Sequence, residues 1–277
     1  MNNIYSIKQR IRKIPGVAHA GASINKSLNI CFRKKNVAMF HTGRCGSTIL
    51  GNMLNAHSKV FWASEIFERF MRLDGNEIRD DILTSTINLS RHSRISNIYG
   101  FETKYLPEQN LSEKCLNVSI EDYIRSLRAL GFSYFIILHR KNYLKRAISV
   151  QVAKEIGKWH SKERVVSAKK VYIDINSFQT GFRQEPLLDL FASMDESYDR
   201  LRHSVPSNSL FLTYEDDILN NPLSAYEKVC EFLDLKNEKP EINLHRTNPF
   251  SYEQMVLNFE EIEAVLRNTK YSWMLDK

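Results

Sequence analysis

The sequence predicts an α/β protein, a doubly wound and mainly parallel sheet that binds an anion at the carboxyl ends of its strands. Three observations predict it. Residues 37–54, VAMFHTGRCGSTILGNML, pass from a short apolar strand through a glycine-punctuated basic turn into a helix. Further apolar strands downstream alternate with helical stripes, the order expected of parallel strands joined by crossovers. A second strand, Tyr134 to Leu138, runs straight into His139, Arg140 and Lys141 ahead of another helix.

Val37 to Phe40 are consecutive apolar residues, which suits a strand buried on both faces. Gly43 and Gly46 free the backbone to curl, Ser47 and Thr48 offer hydroxyls at a helix start, and Arg44 adds a fixed positive charge. Together they make a cradle in which backbone amides, hydroxyls and a guanidinium converge on one oxyanion. The plain alternative is a strand-turn-helix crossover with a solvated Arg. Ile49, Leu50, Met53 and Leu54 continue as a helical stripe to about His57, and Val60 to Trp62 restart an extended run with Glu65 and Glu68 just beyond. Residues 72–98 are too polar to assign.

Gly100 to Tyr105 reads as a third strand, followed by a helix around Ile120 to Leu130, the Tyr134 to Leu138 strand and a helix from Leu144 to Glu155. Residues 156–183, basic and carrying Trp159 and His160, read as an insertion outside the core, either a mobile cover over the ligand or a surface excursion. An amphipathic helix through Leu187, Phe191, Met194 and Leu201 follows, then a last strand, Leu210 to Tyr214. Pro222 opens a helix to Leu233, and residues 252–267 read as one closing helix.

Composition narrows the class. The chain has 277 residues, 43% hydrophobic and 26% charged, without repeat, low-complexity tract or membrane-length apolar run. Cys31, Cys45, Cys115 and Cys230 stand far apart with no CxxC pair, so neither a disulfide scaffold nor a zinc site is expected, and a reducing cytoplasm is the expected compartment. Ten Lys or Arg precede the first acidic residue, Glu65, so the net charge of +7 belongs to the N-terminal quarter. Residues 1–35 read as a basic extension and 36–277 as one domain. Within the extension, Ile4, Ile7, Ile11 and Ile14 have helical spacing, which fits peripheral contact with a membrane, a transit peptide or a helix on the domain's own surface.

HTGRCGST resembles the phosphosulfate loop of the sulfotransferase superfamily, nearest to the tyrosylprotein and bacterial carbohydrate types. MLNAHSKVFWASEIFER resembles that family's continuation toward a catalytic Glu, and FIILHRKNYLKRAIS its 3'-phosphate motif, an Arg at a strand end with a helical Ser. FLTYEDDILNNPLSAYEKVCEFL and RTNPFSYEQMVLNFEEIEAVLRNTKYSWML resemble later family segments. The order of these pieces across residues 37–275 is more specific than any one of them. The resemblance implies the P-loop-like sulfotransferase fold, with 3'-phosphoadenylyl sulfate (PAPS) as donor, a hydroxyl-bearing acceptor, and neither metal nor nucleic acid. It implies Glu65 as base, with Glu68 as fallback, and Arg44 at the departing oxygens. Gly43, Arg44, Cys45, Gly46, Ser47 and Thr48 would hold the 5'-phosphosulfate, and Arg140 and Ser149 the 3'-phosphate.

This chain departs from the pattern twice. Cys45 stands where the family usually has Ser, and Arg140 lies nine residues before Ser149, whereas Lys141 has the usual spacing of eight. Arg140 is preferred because its planar fork matches phosphate oxygens. A P-loop kinase would need a Lys after Gly46, which is absent, although Glu215 and Asp216 after the last strand are compatible with magnesium. A non-catalytic module for anionic polymers or membranes would account for the basic N-terminus alone.

Overall fold

A computed structural model of the chain describes residues 26, 29, 32–72, 82–159, 166–181, 183–240 and 250–276. The isoleucine-spaced stretch 4–14 lies outside the described residues. Strand β1 (Lys35–His41) leads through the 42–46 loop into α1 (Ser47–Ala56), followed by β2 (Val60–Glu65), α2 (Ile82–Arg91) and β3 (Ile98–Lys104). Next come α3 (Ile120–Ala129), β4 (Tyr134–His139) and α4 (Tyr143–Ile156). A hairpin of β5 (Phe178–Thr180) and β6 (Arg183–Glu185) precedes α5 (Leu187–Ser204), β7 (Leu210–Thr213) and α6 (Pro222–Phe232). The chain closes with α7 (Tyr252–Met255) and α8 (Phe259–Leu266).

The main sheet has the order β2-β3-β1-β4-β7, and every neighbouring pair in it is parallel. The alternation of β1 explains its place at the centre. Val37 and Met39 face the core shared with Leu50 and Met53 of α1 and Val229 of α6, while Ala38 and Phe40 face the core shared with Tyr123 of α3 and Ile148 of α4. All four β1 side chains are fully buried, and burial of a large apolar side chain contributes about 1.5–3 kcal/mol. From β1 the chain winds outward to β2 on one side, and from β4 to β7 on the other. The crevice above β1 and β4 is therefore the switch point at which such sheets receive ligands.

Local signals set the helix ends. Ser119 accepts from the Asp122 N–H to cap α3, and Asn142 accepts from the Lys145 N–H at 2.8 Å to cap α4. Asn221 caps α6 with Pro222 in its first turn. By contrast, α1 has neither a side-chain cap nor an acidic residue in its first turn, which leaves its N-terminal dipole uncompensated toward the loop.

Three expectations are corrected. The polar stretch 72–98 contains α2, anchored by buried Ile82 and Ile87 among serines and threonines. Residues 156–183 are not all outside the core, because Val171, Ile173 and Phe178 are buried in it. The closing helix is two helices. Val256 leaves the helical path to bridge Val171, and the Asn258 side chain both accepts from the Ile173 N–H and donates to its carbonyl.

Candidate active site

The 42–46 loop is wound by left-handed backbone at Gly43 (φ 77°), Arg44 (φ 56°) and Gly46 (φ 84°). Such residues turn successive N–H groups toward one concave point. Gly46 is also demanded by space, since a β-carbon there would lie 2.6 Å from the Ile218 side chain. Arg44 has no such freedom, and left-handed backbone costs an ordinary residue roughly 1–2 kcal/mol. Its surroundings hold it. Its Nε donates to Ser149 Oγ at 2.9 Å, its guanidinium donates to the Trp159 carbonyl, and its own carbonyl accepts from Arg140 Nη1 at 2.6 Å.

Cations gather at the crevice. Arg140 lies nearly buried over the Tyr214 ring, 4.5 Å from its centroid. Arg146 of α4 is buried beneath the loop and donates to the Thr42 carbonyl at 2.8 Å. Burial and repulsion from Arg140 lower the Arg44 pKa to about 10, so it is still charged at neutral pH. Guanidiniums crowded in this way favour an anion among them. Lys141 turns away, exposed and ion-paired with Asp216 at 2.5 Å. Of the two candidate cations, Arg140 is the one that touches the loop.

The acidic flank is built by β2 and β3. A bulge between Ala63 and Glu65 shifts the register so that Glu65, rather than Ser64, stands opposite Glu102. Because side chains alternate along a strand, the extra residue turns Glu65 to the α1 face shared with Trp62 and Glu102. Lys104 pairs with Glu65, and its stem lies 3.6 Å from where a Gly43 β-carbon would be, so one lysine connects loop and carboxylate. Glu68 is exposed on the turn that follows.

Buried His41 ends β1 between the two acids, with Nε2 3.8 Å from Glu65 and 3.7 Å from Glu102. Its Nδ1 accepts from the Gly43 N–H at 3.0 Å, which assigns the proton of the neutral ring to Nε2. Burial lowers its pKa to about 4, so the ring is neutral at pH 7. His41, Glu65 and Glu102 offer three ligand-type atoms within 4.8 Å of one another. A protonated Nε2 has no lone pair for a cation, however, and Lys104 already neutralises Glu65. The cluster is better suited to sharing protons than to holding a metal.

Cys45 is fully buried in the apolar core on the α1 side, with its thiol pKa pushed up to about 11 by burial, so only its backbone is available to a ligand. The Ser47 hydroxyl hydrogen-bonds Glu102, and Thr48 is half-buried one residue further on. Arg44, Arg140 and Ser149 thus come together at the loop, and Glu65 stands on its other flank. Sequence reasoning missed His41, Glu102, Lys104 and Arg146. A polar residue within or ending an apolar strand, as in FETK and MFH, was the available signal for the first three. A cavity of about 800 Å³ opens elsewhere, lined by α3 and α5 residues such as Glu121, Arg128, Asp195 and Arg200. It contains none of the loop, so size does not locate this site.

No protein-family model matches the chain, and no curated protein does. Among solved structures, a sulfotransferase from Alicyclobacillus acidocaldarius is similar over 84% of this chain and 91% of its own, with 12% identity and a TM-score of 0.48. A likeness of that size leaves the chemistry to be argued from the residues themselves.

Proposed function

We propose that the chain is a sulfotransferase that moves the sulfuryl group of PAPS to a hydroxyl of a carbohydrate or glycolipid acceptor. The observation that carries this is the opposition of charge across one loop: Arg44 with Arg140 on one flank, Glu65 with Lys104 on the other. In-line transfer requires that polarity, a base for the incoming hydroxyl and positive charge for the departing phosphate. Glu65, paired with Lys104, accepts the hydroxyl proton as the acceptor oxygen attacks sulfur. The bond from sulfur to the phosphate oxygen breaks, and 3',5'-ADP (PAP) departs against Arg44 and the loop amides. Arg140 and Ser149 hold the 3'-phosphate. Gly46, Thr48 and the backbones of Cys45 and Ser47 hold the 5' side, while Gly43, whose N–H is taken by His41, shapes the loop.

Against a kinase-like alternative, the acids after β7 are already engaged. Glu215 accepts from the N–H groups of Lys141 and Asn142, Asp216 pairs with Lys141, and Asp217 pairs with Lys228 at 2.6 Å. The test is transfer of labelled sulfate from PAPS to a panel of sugars, glycolipids, steroids and tyrosyl peptides, with EDTA present. Transfer is expected to sugar-bearing acceptors, and Glu65→Gln should lower it by about 100- to 10,000-fold while PAP affinity stays unchanged. Near-normal turnover in that variant, with Glu68→Gln inactive, would move the base to Glu68.

A further inference from the structure

Glu102 is a buried carboxyl that the mechanism above leaves unused. It is 3% exposed, inside a parallel sheet, where an uncompensated carboxylate is costly. The fold nevertheless makes room for it. A β-carbon on Gly51 would lie 2.2 Å from Glu102 Oε1, and one on Gly100 would lie 2.1 Å from the Trp62 ring, so two glycines clear the space for the carboxyl and its indole partner. Trp62 Nε1 donates to Oε1 at 3.1 Å, and Ser47, the first residue of the loop helix, hydrogen-bonds the same group. The other oxygen faces His41 Nε2, which is buried without a hydrogen-bond partner and lies almost equally far from Glu65.

We propose that Glu102 is a positioning residue for Glu65: a second carboxyl held behind the base, coupled to it across the His41 Nε2–H, whose charge sets how readily Glu65 takes a proton. No bond forms or breaks at Glu102, and the proton leaving the acceptor hydroxyl goes to Glu65 alone. The groups facing Glu102 define its titration. Burial and the charge of Glu65 raise its pKa to about 7, against the hydrogen bonds from Trp62 and Ser47 and the charge of Lys104. His41 and Cys45 face it as neutral groups at that pH. Ionised Glu102 adds negative charge beside Glu65 and strengthens it as a base, while protonated Glu102 weakens it.

Glu65's part as base is itself the functional reading given above, so the experiment separates the two. Carboxyl carbons of the full chain are followed by NMR across pH, without ligand, in wild type, Glu65→Gln and Glu102→Gln. The midpoint of Glu102 should fall by about one unit in Glu65→Gln, because Glu65 is ionised when Glu102 titrates. The first-titrating Glu65 loses its proton while Glu102 is still neutral, so its own midpoint should stay in place in Glu102→Gln. A Glu102 midpoint that ignores the neutralisation of Glu65 overturns the proposal. If Glu102→Gln does not fold, Glu65→Gln, which alters a half-buried side chain, reads the same coupling. In turnover, the rise of kcat with pH near neutrality should flatten in Glu102→Gln with donor KM unchanged. A uniform drop at every pH would instead mean a structural role and overturn the proposal. Wild-type protein that shows the coupled titration yet transfers no sulfuryl group would overturn the functional reading and uphold the pair.

Discussion

Arg44 carries the largest local strain of the loop, and it is held by partners from three distant stretches: Arg140, Ser149 and Trp159. The loop-forming residues were legible because glycines, hydroxyls and Arg stand together in HTGRCGST. Glu102 was not, because its partners Trp62 and Ser47 lie some 40 and 55 positions away, and only strand register brings them together. Its burial has a consequence for stability. The folded pKa of Glu102 is raised from 4.5 to about 7, so the folded state binds the extra proton, and stability is lost as pH rises through that window. His41 and His139 are lowered from 6.5 to about 4 and act oppositely, losing stability as pH falls through theirs. Glu102→Gln removes only the first contribution. Relative to wild type, the variant should gain up to roughly 3 kcal/mol between pH 4.5 and 7, read by urea unfolding at several pH values. A constant difference across that range would contradict a raised pKa.

At the scale of elements, the loop depends on Gly46 in two ways, its left-handed backbone and its contact with Ile218 on the wide turn Tyr214–Ile218 that follows β7. Gly46→Ala should therefore weaken PAP binding by more than tenfold, through displacement of Arg44 rather than loss of charge, and lower thermal stability measurably. An unchanged PAP affinity would mean that the loop is not the phosphate site. The strands were readable because apolar runs of this kind have few other fates. The closing segment was misread because the residues that break it, Val256 and Asn258, act through Val171 and Ile173, and helical spacing alone does not register such partners. The bulge in β2 is likewise invisible in FWASE, although it decides which face Glu65 joins.

Across the whole molecule, the sheet order brings the loop after β1 and the turn after β4 to one crevice, and Glu65 arrives from β2 on the other side of β3. The strand order itself was not legible, but a doubly wound, mainly parallel sheet was expected from the alternation of strands and helices. The convergence of Arg44, Arg140 and Arg146 was only partly so, since Arg146 reads as one more helical surface cation until its burial is seen. Among the described residues, no helix is long and apolar enough to cross a membrane. Charge at the crevice makes the donor site testable without knowing the acceptor. Calorimetric titration of PAP and 5'-AMP into wild type and Arg140→Ala is the most direct measurement. Wild type should prefer PAP by roughly ten- to a hundredfold, from a charge-assisted contact of about 1.5–3 kcal/mol, and Arg140→Ala should lose most of that preference. Equal affinity of the wild type for the two nucleotides would contradict the account.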